Sequence, residues 1–287
     1  MKHMNTKEML DIALKLAGLE ECPADSGEIV AGENINRVLA GLDINNPELG
    51  VAMVMKYDAI VGHHPRTEDL KGCSRLMEEL PLRFLVQHGV GLVAAKKAVA
   101  GRCDKADKAK NPIDHNREAA AARLAGMPFM TIHSPATMIA ERIVQDDMDE
   151  RFGGNDLVTL DDVLAAISEY PECKAWSLTP KILIGEPNSH AGRIVAMFTG
   201  LSEVCLADVY QPQLNDAEIF KALFRSGVGT LIVKSLGEDE KKAIEEQSIG
   251  NVICLGHMCA DSIGMNRIID EWEKHGLKVD KFCGILG

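Results

Sequence analysis

The sequence has no surplus of positive charge. Its 287 residues carry 31 Lys and Arg against 43 Asp and Glu, a formal net charge of −12, with no basic block. Nucleic acid and anionic membrane are recognised through cationic patches, so this balance argues against both as nonspecific partners. Long apolar runs are missing too: none approaches the roughly 20 residues that a membrane span needs. The eight cysteines include no Cys-x-x-Cys pair. No signal peptide precedes Asn5-Thr6, where an amphipathic helix begins, so free thiols in a reducing compartment and a cytoplasmic protein are the expectation. Gly-x-Gly-x-x-Gly, a Walker-type loop and a Gly-x-Ser-x-Gly elbow are absent, which leaves no standard phosphate cradle or serine nucleophile.

What is present is the composition of an ordinary globular protein, 46% hydrophobic and 26% charged. Helical spacing of Leu10, Ala13, Leu14 and Ala17 ends at Gly18. Strands are expected at Ile35 to Ile44, Tyr57 to Val61, Val90 to Ala95 and Phe129 to His133, with a short helix at Pro47 to Met55 and an alanine-rich helix at Arg117 to Ala125. Ser134-Pro135 reads as N-cap and first helical residue of the next helix. The acidic stretch Gln145 to Asp156 is the best boundary, dividing the chain into halves at 1–145 and 157–287. The second half is expected to hold a helix at Leu160 to Tyr170 and strands at Lys181 to Gly185 and Arg193 to Phe198. A helix capped by Asn215 and Glu218 follows, then strands at Thr230 to Val233 and Val252 to Leu255, and a last helix with Met265, Ile268, Ile269 and Trp272 on one face. Strands alternating with helices give an α/β fold, with helices covering mixed sheets.

Two of these strands end in Gly-His: Tyr57 to Val61 runs into Gly62-His63-His64-Pro65, and Val252 to Leu255 into Gly256-His257-Met258-Cys259-Ala260-Asp261. His257 and Asp261 are spaced i, i+4, which places both on one face of a helix's first turn, as paired metal ligands are placed. His63 and His64 would face opposite sides within a strand, but past its end both can reach one site. Ligands of α/β sheets gather at the carboxyl ends of strands. Cys259 falls between the two positions that would face a metal and reads as a partly buried free cysteine.

Leu42-Asp43-Ile44, the strand leading to Gly-His-His-Pro, and the late Gly-His with Asp261 together resemble the NIF-three/YbgI-like family of dinuclear metal-centre proteins. The resemblance covers most of the chain, and Gly-His-His-Pro with its strand is its most specific part. It implies a NIF-three-like fold, two α/β halves around a central metal site, a homo-oligomer, and metal-ligand roles for His63, His64, His257 and Asp261. Asp261 stands where glutamate is usual. The family's His-Thr-x-x-Asp, whose aspartate bridges two ions, is expected after the strand at Val90 to Ala95, where this chain has Lys96-Lys97. Two replacements offer themselves: Asp114-His115, which is preferred, and His133, which has Thr137 where the acid should stand.

Mixed His and Asp ligation suits zinc, iron or manganese, as one or two ions. Ions so held can bridge a water, lower its pKa and deliver hydroxide to a phosphoryl or carbonyl centre. The expected function is therefore a metal-dependent hydrolase acting on a nucleotide-like or other small substrate. Lys96, Lys97 or Arg102 would then hold an anionic group, although the segment from Lys96 to Lys110 reads more simply as a solvated basic loop. The alternatives are a non-catalytic oligomer that binds metal or a partner, and a degenerate site with no metal.

Overall fold

The computed structural model describes residues 3–65, 73–110, 116–175, 180–200 and 215–287. Among the described residues, nine strands form two mixed sheets. The first holds β1 (Gly27–Val30), β2 (Arg37–Gly41), β3 (Ala59–Gly62), β4 (Phe129–Thr131) and β9 (Lys278–Lys281), in the order β1-β4-β3-β2-β9. The second holds β5 (Lys181–Ile184), β6 (Ile194–Met197), β7 (Thr230–Val233) and β8 (Asn251–Cys254), in the order β5-β8-β7-β6. In each sheet three successive strands are parallel, and the first strand of the set closes one edge antiparallel. The order 1-4-3-2 thus recurs as 5-8-7-6: the two halves share one topology, and β9 returns from the end of the chain to complete the first sheet.

The early helices are α1 (Thr6–Ala17), α2 (Asn46–Val54), α3 (Cys73–Gln87), α4 (Leu92–Val99), α5 (Arg102–Lys110), α6 (Arg117–Ala125) and α7 (Ser134–Phe152). They are followed by α8 (Leu160–Ile167), α9 (Pro171–Lys174), α10 (Ala217–Arg225), α11 (Glu238–Glu245) and α12 (His257–Lys274). Helices α7 and α12 form a layer between the sheets. Toward the first sheet, Ala136, Ile139, Met265, Ile268 and Trp272 pack with Val38, Ala40, Val61 and Met130. Toward the second, Ala140, Val144, Ala260 and Ile263 pack with Ala196, Ile232 and Ile253. Alternation along β6, β7 and β8 turns Val195, Leu231 and Val252 to the far face, which α4 and α10 cover. The two central helices approach closely at Gly264, where a Cβ would overlap the Ala136 carbonyl oxygen. Burial from both sides explains why α7 carries little amphipathic pattern.

Several expectations are corrected. Val90 to Ala95 is not a strand; the run leads into α4, which exposes Leu92 and Val93 and buries Ala95 and Val99. The basic segment is not a solvated loop but α4 and α5, and Arg102 is buried in an ion pair with Asp216. Ser134 does not cap α7: His133 holds the cap position, and the Ser134 hydroxyl donates to Asp25 instead. Asn215 and Glu218 form no capping box, since Glu218 pairs with Lys221 and α10 is capped from Asp216. Cys259 is not a free thiol; it is joined to Cys173 in a disulfide that ties α9 to the first turn of α12. The stretch read as the boundary is helical as far as Phe152.

Candidate metal centre

Parallel strands leave their carboxyl ends on one edge, and the chain uses that edge four times. Residues His63 and His64 follow β3, and His133 follows β4; Lys234 follows β7, and His257 opens α12 three residues after β8 ends. The turn into α12 needs Gly256, whose φ of 100° is costly for any residue with a Cβ. At the end of β3, His63 N–H donates to the Gly41 and Leu42 carbonyls and His64 N–H to Leu42, which fixes the pair beside β2.

His63, His64 and Asp261 are buried, and one ligand atom from each lies within 4.8 Å of the others. His257 joins them from the solvent side, 28% exposed, with Nε2 2.8 Å from Asp261 Oδ2. His64 Nε2 is 3.1 Å from His257 Nε2 and 3.3 Å from Asp261 Oδ2, and His63 Nδ1 is 3.6 Å from the same oxygen. Three imidazole nitrogens therefore converge on one carboxylate oxygen. The other, Oδ1, is paired with the buried Lys234 ammonium.

A carboxylate behind the ring orients two of these histidines. His64 Nδ1 is 2.8 Å from Asp43 Oδ1, and a carboxylate there can only accept, so Nδ1 carries the proton and Nε2 faces the cluster with its lone pair. His133 is held likewise: Nδ1 is 2.9 Å from Asp25 Oδ2, which also accepts from the Ser134 hydroxyl at 2.5 Å. Burial alone would raise the Asp25 carboxyl, but the hydrogen bonds from His133, Ser134 and Ser26 hold it below the usual carboxylate range. The His133 ring lies 4.9 Å from His63 and 6.0 Å from His64, centroid to centroid.

The residues present suit a metal ion. Among the described residues, His63 Nδ1 is buried with no hydrogen-bond partner, a state that normally costs about 1–3 kcal/mol. Burial drives His63 well below the ordinary histidine range against the opposing pull of Asp261, with the Lys234 ammonium adding to the downward push, so its ring is neutral as a ligand must be. Burial would raise Asp261, but His63, Lys234 and His257 around it hold it well below its usual value. Imidazoles gathered around a carboxylate form the donor set of a divalent transition metal.

Of the site residues read from sequence, the structure brings together His63, His64, His257 and Asp261, with His133 beside them. Asp114 and His115, the preferred replacement pair, lie outside the described residues. Lys96 and Lys97 are exposed on α4, on the face of the second sheet opposite α12. Arg102 is engaged by Asp216 and the carbonyls of Met77 and Gly200. Asp25, Asp43, Thr137 and Lys234 were given no role by sequence reading. Lys234 could have been found by the rule that found the histidines, because it too stands at the carboxyl end of an apolar strand. Asp25 leaves no such signal.

The fold and the cluster define a class: an α/β protein with duplicated mixed sheets and a buried, metal-compatible His/Asp cluster where their strand ends meet. Its structural neighbours are NIF3 superfamily proteins, and in fold the chain is NIF3/YbgI-like. Over 99% of its length it is similar to a NIF3 superfamily protein from Sphaerobacter thermophilus, with a TM-score of 0.88, 26% identity and the whole of that chain covered. Reduced HcgD from Methanocaldococcus jannaschii shares the fold at a TM-score of 0.55 and 12% identity, covering 98% of this chain and 99% of its own. The protein ybgI, described as of unknown function, shares it at a TM-score of 0.53 and 15% identity, covering 99% and 98%. No family profile and no curated protein matches the sequence. Among the described residues no helix is long and apolar enough to cross a membrane.

Proposed function

We propose that the chain binds a divalent transition metal, zinc, iron or manganese, through His63, His64, His257 and Asp261, and that it hydrolyses a small substrate there. The observation that carries this reading is the convergence of three imidazole nitrogens on Asp261 Oδ2, with His63 Nδ1 buried and unbonded. A divalent ion at such a cluster lowers the pKa of water and stabilises negative charge on a phosphoryl or carbonyl oxygen. The chain supplies the remainder. Asp43 keeps His64 in the ligating tautomer, and Asp25 does the same for His133, which would take or return the proton. His257, partly exposed, is the side from which a substrate enters. A nucleotide-like substrate and a homo-oligomer follow from the family resemblance and are part of the proposal.

The test is turnover of activated phosphodiesters and of nucleotides by protein loaded with Zn2+ or Mn2+. His133→Ala should lower kcat by roughly a hundredfold while leaving bound metal unchanged. Absence of any metal-dependent turnover would remove the hydrolase. The second reading, a non-catalytic metal-binding oligomer, is favoured by the burial of three of the four ligands, since closed sites are structural and open ones catalytic. Azide added to Co2+-loaded protein separates the two: a shift in the visible bands shows an open position and supports catalysis.

A further inference from the structure

The equivalent positions of the two halves do not carry equivalent chemistry. After β4 comes His133, and one helical turn on, at i+4, stands Thr137. After β8 comes His257, and at i+4 stands Asp261. After β3 come His63 and His64; after β7, at the matching place, comes Lys234. The second half thus supplies the carboxylate that the first lacks, and a cation where the first supplies imidazoles. The ammonium does not point away. Lys234 is 3% exposed; its Nζ pairs with Asp261 Oδ1 and lies 3.3 Å from Thr137 Oγ1, so it spans both i+4 positions.

We infer that Lys234 is a built-in cation of this centre, whose described residues therefore hold one divalent ion and not two. The inference rests on the metal reading above and concerns how the chain balances charge around that ion. Asp261 is the only carboxylate of the cluster among the described residues. One of its oxygens faces His63, His64 and His257, enough donors to complete the ligand set of a single ion. The other is neutralised by Lys234. A second dication would need a second anionic ligand, and the place where the repeated topology would put it holds the neutral hydroxyl of Thr137. Lys234 also gives the centre a fixed positive charge that no chelator removes. It is a positioning and charge-balancing residue, one that fixes Asp261 and sets metal occupancy.

The experiment counts metal instead of activity. Metal-free protein is titrated with Zn2+ by calorimetry, and the ions are counted by native mass spectrometry, for the wild type, Lys234→Arg, Lys234→Met, and Lys234→Met combined with Thr137→Asp. Circular dichroism checks that each is folded. The wild type should bind one ion, and Lys234→Arg, which keeps the charge, should bind one within about threefold of the same affinity. Lys234→Met should bind its ion roughly tenfold tighter, because a positive charge beside a dication is gone. The double variant should bind two. Two ions in the wild type, an unchanged affinity in folded Lys234→Met, or a single ion in the folded double variant would each overturn the inference and leave the metal centre standing. No bound Zn2+ in the wild type would remove the centre and the inference together. If the Met variants do not fold, the wild-type count alone decides.

Discussion

The two halves of the molecule repeat one strand order but divide the labour of the site unequally. The first half offers imidazole nitrogen: His63, His64 and His133, two of them braced from behind by Asp43 and Asp25. The second offers charge: the buried Asp261–Lys234 pair, with His257 at the rim. The difference teaches that a repeated backbone fixes where side chains converge, not what they do there. Braced imidazoles depend on contacts within their own half. The charge pair draws its meaning from the other half, because Asp261 meets His63 and His64 only when α12 is clamped against α7.

The sharpest way to break this comparison is to remove one charge. Asp261→Ala should destabilise the protein by about 3–5 kcal/mol, since it leaves the Lys234 ammonium buried without its partner. Adding Lys234→Met should recover much of that loss in urea unfolding; a double variant as unstable as the single would show that the pair is not what holds the region. Next is the tie on the second half. Reducing the Cys173–Cys259 disulfide, which closes a separation of 86 residues, should cost about 2–4 kcal/mol. A melting temperature that does not move with dithiothreitol would speak against this. Third is the joint itself. Gly264→Ala places a Cβ against the Ala136 carbonyl and should cost about 2 kcal/mol while weakening Zn2+ binding, because α7 and α12 are pushed apart. Unchanged Zn2+ affinity would mean that the halves tolerate more slack than their packing implies.

The smallest effect lies wholly within the first half. Asp25 has a depressed folded pKa, so its stabilisation is present above the ordinary carboxylate value of about 4 and is lost as pH falls through the folded value. Asp25→Asn should therefore be less stable than wild type at neutral pH, by about 1–2 kcal/mol from weakened hydrogen bonds. The gap should close as pH drops below about 4. A gap that stays constant across that range in pH-dependent unfolding would assign the loss to packing.

Sequence reading found what depends on local order. An apolar strand ending in Gly-His, and His257 with Asp261 one turn apart, are legible because strand and helix periods are local. It failed where partners are distant or the signal is a single residue. Lys234 stands at a strand end, but its partners Asp261 and Thr137 come to it only through the fold. Asp25 sits in a loop without pattern, and Cys173 and Cys259 have nothing between them to announce a pairing. Val90 to Ala95 misled because α4 leaves Leu92 and Val93 in solvent, so its apolar run does not show a helical stripe. His133, with Thr137 four residues on, stands after β4 beside the cluster.

The return of β9 to the first sheet bears on how the protein is made. Arg37 on β2 is bonded to Asp280 on β9 across 243 residues, and His64 meets Asp261 across 197. Contacts at such separations close late and fold slowly, because a long loop must be ordered before they form. On the ribosome, the first half can collapse around its own parallel strands, but β2 stays an open edge until β9 emerges. The cluster is equally incomplete until α12 has been synthesised, so its four residues meet only after the second half has emerged. Among the described parts of the fold, β2 is the edge a chaperone would have to guard during synthesis.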